Sequence, residues 1–189
     1  MNVNKIIRAI SDLEFVHTVE IVGSLNEGNN DLYSDIDLEV NIKHLSPDKA
    51  LLIICELLTE KFSPLWSDYA NSLMPNKFLV SMFFENENPF RFIDIGIVNN
   101  GVHSFDKDRF KNDIWIHLTK LWIMNFKLYL RRDERFDVRF EKMMLDAGIK
   151  TYTNHADGFR KLLILLSTKQ SVNHNYLLQL NNEFNKHLK

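Results

Sequence analysis

The hydrophobic pattern changes period along the chain. Val3, Ile6, Ile7 and Ile10 recur at helical spacing, so residues 3–14 are predicted to form a helix. Residues 16–22 are continuously strand-like and end at a small-residue turn, Gly23-Ser24, where glycine tolerates close backbone approach and unusual φ and a short helix could begin at serine. From 35 to 42 the period is two. Ile36, Leu38 and Val40 take one face and Asp35, Asp37 and Glu39 the other. Ser46-Pro47-Asp48 places a cap residue ahead of proline at a helix start. That helix runs to about Phe62, with Ala50, Leu51, Ile54, Leu57, Leu58 and Phe62 inward. Residues 63–76, containing Pro64 and Pro75, read as irregular. KFLVSMFF (77–84) and PFRFIDIGIV (89–98) read as a β-hairpin across residues 85–88. Asn99-Asn100-Gly101 ends the sheet, and the stretch to Lys107 is the expected hinge.

The remainder reads as helical. Residues 108–132 contain no Gly or Pro, and Trp115, Leu118, Trp122, Phe126 and Tyr129 form an apolar stripe suited to core packing. Asp113, His117, Lys120, Met124, Lys127 and Arg131 fall on another face. That face reads as solvated, or as a place from which Lys120 or Lys127 could reach phosphate. Further helices are expected over 135–149, 156–167 and 174–188. The class is α+β: a mixed sheet with flanking helices in residues 1–105, then a helical C-terminal domain in 106–189.

Composition changes this picture only at a few points. An apolar content of 45% and a charged content of 25% are ordinary for a globular chain of 189 residues. No apolar run approaches the roughly 20 residues that span a bilayer. The N-terminal segment is amphipathic rather than signal-like. A lone cysteine, Cys55, allows no internal disulfide and lies in the apolar run LLIICELL, where a buried inert thiol is expected. Together these give a cytoplasmic expectation. The net charge of −2 conceals an asymmetry: residues 1–105 carry 7 Lys+Arg against 15 Asp+Glu, and residues 106–189 carry 16 against 10. The halves are therefore about −8 and +6, a balance that favours anionic ligands at the second and disfavours a strongly polycationic one. The seven histidines show no zinc-ligand spacing, and neither a P-loop nor a Gly-x-Ser-x-Gly elbow occurs.

Candidate chemistry concentrates in VEIVGSLNEGNNDLYSDIDLEV. Two carboxylates on one face of a strand, Asp35 and Asp37, suit Mg²⁺, which takes oxygen ligands and usually binds one or two carboxylates plus substrate phosphates. A glycine-serine turn upstream offers backbone N–H groups to phosphate. A third acid, Asp94, interrupts the apolar strand FIDIGIV beside Gly96. A carboxylate there is costly unless it is solvated, paired or used.

An apolar strand, Gly23-Ser24, ten residues, Asp35-Ile36-Asp37-Leu38, and Asp94 on a later strand resemble the signature of the nucleotidyltransferase superfamily, whose members share a DNA polymerase β-like catalytic fold. The run GSLNEGNNDLYSDIDLEV is most similar to the antibiotic-modifying branch, the lincosamide and aminoglycoside nucleotidyltransferases. The motif covers residues 15–98, and the helical segment IWIHLTKLWIMNFKLYLRR also looks like that branch. The resemblance makes residues 1–105 a nucleotidyltransferase domain. It implies that Asp35 and Asp37 bind Mg²⁺, that Gly23 and Ser24 hold the phosphates of ATP or another nucleoside triphosphate, and that Asp94 is a second-metal ligand or the base that takes the acceptor's proton. Some relatives place the base in the second domain, where Asp113, Asp133 and Glu134 are candidates.

The expected reaction is transfer of AMP to a hydroxyl of a small molecule, an antibiotic such as a lincosamide or an aminoglycoside. The charge balance leans toward the less cationic lincosamide. Two alternatives stay open: a toxin–antitoxin-type nucleotidyltransferase acting on a protein or RNA, and a catalytically silent nucleotide-binding module. Neither a membrane nor nucleic acid is an expected partner of the first reading, and a homodimer is left open.

Overall fold

The computed structural model describes residues 2–28, 31–70, 77–85, 88–98 and 110–187. The chain divides into two compact units, Met1–Lys111 and Asn112–Lys189. The boundary expected at 105/106, like the hinge up to 107, lies outside the described residues.

The first unit contains α1 (Val3–Ser11), β1 (Val16–Val22), a single 3₁₀ turn (Gly23–Leu25), β2 (Ile36–Ile42), α2 (Pro47–Phe62), β3 (Trp66–Tyr69), β4 (Lys77–Phe83) and β5 (Ile93–Val98). The five strands form one mixed sheet in the order β1-β2-β5-β4-β3. Only the β2–β5 pair is parallel. Its connection carries α2 and the β3–β4 pair, the long crossover that parallel neighbours need.

One face of the sheet is apolar. Ile36, Leu38 and Val40 of β2, Ile93, Ile95 and Ile97 of β5, and Val80 and Met82 of β4 pack with Ile6 and Ile10 of α1 and Ala50, Leu51, Ile54 and Leu58 of α2. Each large aliphatic side chain buried there contributes about 1.5–3 kcal/mol. Asn2 caps α1, accepting from the Lys5 N–H at 3.2 Å. Pro47 opens α2 as the sequence suggests. Ser46 occupies the cap position with extended backbone but makes no side-chain cap bond. Ser63 ends the helix at φ 45°.

The stretch read as irregular contains an ordered edge strand. β3 pairs with β4 antiparallel, Trp66 opposite Phe83 and Asp68 opposite Ser81. Its four residues, WSDY, lack the apolar-polar alternation that announces a half-buried strand, because the inward pair is one aromatic and one acid. Tyr69, on the other side, packs edge-on to Phe110 at 4.8 Å between centroids. It also lies against Cys55, whose thiol is buried and pushed up to about 11 by that burial. The thiol is therefore inert at neutral pH.

The second unit is helical: α3 (Ile114–Arg131), α4 (Phe136–Asp146), α5 (His155–Ser167) and α6 (His174–His187). Its centre is aromatic. Trp122 and Phe126 stack at 5.2 Å, and Phe159 and Phe184 close on both edge-to-face. The Trp122 indole N–H donates to the Phe159 carbonyl at 3.0 Å. Gly158 lets α5 approach α4, since a Cβ there would meet Phe140 Cζ at 2.6 Å. The predicted stripe is thus core, with Leu118, Trp122 and Phe126 fully buried. At its N-terminal end, Trp115 is half-buried beneath the Lys169 ammonium, 3.9 Å from the ring centroid.

The polar face of α3 differs from a solvated one. Lys120 and Lys127 are buried, at 5% and 3% exposure. Asp113 is not on the helix at all. It is the N-cap, accepting from the Trp115 and Ile116 N–H groups at 2.8 and 3.1 Å. α3 therefore starts at 114 rather than 108. Among the described residues no helix is long and apolar enough to cross a membrane.

Candidate active site

The other face of the sheet carries the acids, and strand register decides which of them meet. Val22 of β1 stands opposite Asp37 of β2, Asp37 opposite Asp94 of β5, Asp94 opposite Ser81 of β4, and Ser81 opposite Asp68 of β3. Residues directly opposite share a face, with side chains about 4.5–5.5 Å apart at Cβ. One row therefore crosses all five strands as Val22, Asp37, Asp94, Ser81 and Asp68. Asp37 and Asp94 come together although they are 57 positions apart in the sequence.

Asp37 is half-buried and closely confined. Gly23 adopts φ +69°, and a Cβ on it would lie 2.5 Å from Asp37 Oδ2. Both the left-handed backbone and the closeness require glycine. Ser24 follows within the 3₁₀ turn, where the Asn26 N–H returns to the Gly23 carbonyl at 3.0 Å. In place of a short helix following Ser24, the chain makes this single turn over Gly23–Leu25.

Asp35 sits one residue before β2. Asp35 is half-buried there. A local network holds the approach. The Tyr33 N–H and the Ser34 hydroxyl both donate to Asp31 Oδ1 at 2.9 Å. The Asp31 N–H donates to Ser34 Oγ at 2.9 Å. Asn88 then ties this turn to the β5 approach, its amide donating to the Leu32 carbonyl while its carbonyl accepts from the Phe90 N–H at 3.0 Å. The Ile36 N–H completes the junction at the Phe92 carbonyl, 3.1 Å away.

Asp94 is half-buried and accepts a hydrogen bond at Oδ1 from the buried Ser81 hydroxyl. Asp68, at the end of the row, is fully buried. Ser81 and Asp68 were not among the residues singled out from sequence. The faint signal for Ser81 is a polar residue in the middle of the apolar run KFLVSMFF.

The rows on either side differ. Toward one end, Trp66, Phe83 and Phe92 make an aromatic floor, with ring centroids 5.5 and 4.7 Å apart. Toward the other, Glu20 stands directly opposite Glu39, and Glu39 opposite Gly96. Beyond them lies a depression of about 520 Å³ lined by His17, Thr18, Glu20, Asn41 and Lys43 among others. There the Asn41 amide donates to Thr18 Oγ1 at 3.0 Å.

Among the described residues, no three His, Cys, Asp or Glu side chains converge as a metal-binding group. Asp35, Asp37 and Asp94, expected as metal ligands, are therefore not such a group of three; register sets Asp37 and Asp94 side by side. Two oxygen-donor side chains from neighbouring strands, Asp37 and Asp94, do fit a hard cation whose remaining ligands are phosphate oxygens and water. Of the candidate bases outside the sheet, Asp113 is engaged in capping. Asp133 is bound to Arg135 by hydrogen bonds of 2.6 and 2.8 Å, which hold its carboxyl well below the usual range. Asp133 is therefore poorly suited to taking a proton.

Comparison with known proteins gives little. No family model matches the chain, and no curated protein matches it. Among solved structures, those it is similar to include a chain described under the polymerase core of TRAMP, an RNA surveillance complex, at TM-score 0.42 and 14% identity. The match covers 94% of this chain and 53% of that one, so this chain spans about half its length.

Proposed function

We propose that this protein is a nucleotidyltransferase that moves a nucleoside monophosphate, AMP from ATP, onto a hydroxyl of a small molecule. The observation that carries the reading is the in-register pairing of Asp37 with Asp94, with Gly23 pressed against Asp37. The sequence motif supplies the order of the parts. The sheet accounts for why parts so far apart in sequence could act together.

Asp35 and Asp37 would hold Mg²⁺, which when bound neutralises the triphosphate and orients its α-phosphorus. Gly23 and Ser24 present backbone N–H groups to the β- and γ-phosphates. Asp94 stands at the neighbouring position in the row, where its carboxylate takes the acceptor's proton or serves as a further ligand. The acceptor oxygen then attacks the α-phosphorus and pyrophosphate leaves. The likeness of GSLNEGNNDLYSDIDLEV to the antibiotic-modifying branch supports a lincosamide or aminoglycoside as acceptor.

The test is pyrophosphate release by purified protein with Mg²⁺, each of the four ribonucleoside triphosphates, and a panel of antibiotics. It is read together with a mass gain of one nucleotide on the acceptor. A gain on the protein itself, on another protein or on RNA would move the acceptor to a macromolecule. Absence of pyrophosphate under every condition would overturn the reading.

A further inference from the structure

We propose that Ser81 is a positioning residue for Asp94, holding that carboxylate in its working orientation. The proposal rests on the role given to Asp94 above. β4 is an apolar strand, and Ser81 lies between the fully buried Val80 and Met82. A hydroxyl at a fully buried position is costly unless it is hydrogen-bonded, and alanine would fill nearly the same space without that cost. What the hydroxyl does is donate its one proton to Asp94 Oδ1 across the β4–β5 pair. The bond runs from an inner strand of the sheet to a half-buried carboxylate. A buried side chain of the sheet thereby fixes one Asp94 oxygen before any substrate arrives. Preorganisation of this kind is what a reacting carboxylate gains from its supporting groups.

Asp68 brackets Ser81 from the other side, directly opposite it on β3. A serine hydroxyl has a single proton to donate. Because it goes to Asp94, the bond singles out the half-buried acid of the row rather than the fully buried one.

Three variants test this: Ser81→Ala, Ser81→Thr, and Ser81→Ala in an Asp94→Asn background. Ser81→Ala should lower kcat about 10-fold while KM for the triphosphate stays within about twofold, because Asp94 acts after nucleotide binding. Ser81→Thr keeps the hydroxyl and should recover most of kcat. In the Asp94→Asn background, Ser81→Ala should cost nothing further. Unchanged kcat in Ser81→Ala, with unchanged melting, would overturn the proposal, as would an equal further loss in the Asp94→Asn background.

A second readout is independent of turnover. In protein with ¹³C-labelled aspartate carboxyls, the resonance lost in Asp94→Asn should shift in Ser81→Ala and not in Ser81→Thr. If the wild-type protein turns over nothing, the proposed function fails while this shift still decides the positioning. An unmoved resonance would sink it.

Discussion

On one face of the sheet, Leu38, Val40, Ile95 and Ile97 are almost completely buried beneath α1 and α2. On the other face, the residues between and before them are Asp37, Glu39, Asp94 and Gly96. The same strands supply both sets by alternation, yet the two faces answer to different demands. The apolar face holds the register: a slip of one residue would turn every isoleucine out and every acid in. The polar face inherits that register. The Asp37–Asp94 pair is therefore specified mainly by hydrophobic side chains that never touch it.

Two substitutions on opposite faces should separate the roles. Asp37→Asn is expected to reduce turnover to background, a loss of 10³-fold or more, because asparagine keeps the size but not the charge that balances a cation among phosphates. Melting should be unchanged or slightly higher. Ile95→Ala, on the apolar face one residue from Asp94, should do the reverse. It should cost about 2–5 kcal/mol of stability and leave kcat per folded molecule within a few-fold. Paired measurements of thermal unfolding and pyrophosphate release check both. Wild-type rates in Asp37→Asn would remove the acid from the chemistry. A large kcat loss in Ile95→Ala at low temperature would show that the faces are coupled more tightly than alternation alone implies.

Gly23 stands where the two demands meet. Gly23→Ala places a methyl 2.5 Å from Asp37 Oδ2 and forces a non-glycine residue to φ +69°. The backbone term is about 1–2 kcal/mol. The displaced carboxylate should cost turnover about 10–100-fold, with a raised Mg²⁺ requirement. If stability falls but the Mg²⁺ dependence of the rate is unchanged, the closeness is structural only.

Much of this was legible in the chain because one face of each long strand is apolar. Alternation in IDLEVNI and the apolar run in FIDIGIV located β2 and β5, and the Gly-Ser turn located the end of β1. The partners in the row were not legible. That Ser81 meets Asp94, or that Asp68 ends the row, is a property of long-range register, which no local pattern records. β3 was hidden for a related reason: a four-residue edge strand with Trp66 and Asp68 on its inner side offers no apolar period. In α3 the failure ran the other way. Helical spacing separated Lys120 and Lys127 from the aromatic stripe, but spacing cannot tell a solvated face from one that the tertiary fold buries. Asp113 looked like part of a helical face until the helix start, at Ile114, turned it into a cap.

The smallest effect should appear one row from Asp37. Glu20 and Glu39 are directly opposite on neighbouring strands, and like charges so placed are destabilising. Glu39 is half-buried, so solvent screens the repulsion only in part. Glu39→Gln should raise stability by about 0.2–1 kcal/mol, corresponding to about 0.4–4 °C in melting for a chain of this size. The gain should shrink as salt is added, since screening already weakens the repulsion in the parent. Melting at low and high ionic strength measures this. A gain that persists at high salt would mean that Glu39 strains the sheet by its shape rather than its charge. A loss of stability would mean that it has a favourable partner. Either outcome would remove the reason for treating the polar face as one whose charges cost the fold stability, while a salt-sensitive gain would extend that contrast beyond the Asp37–Asp94 row.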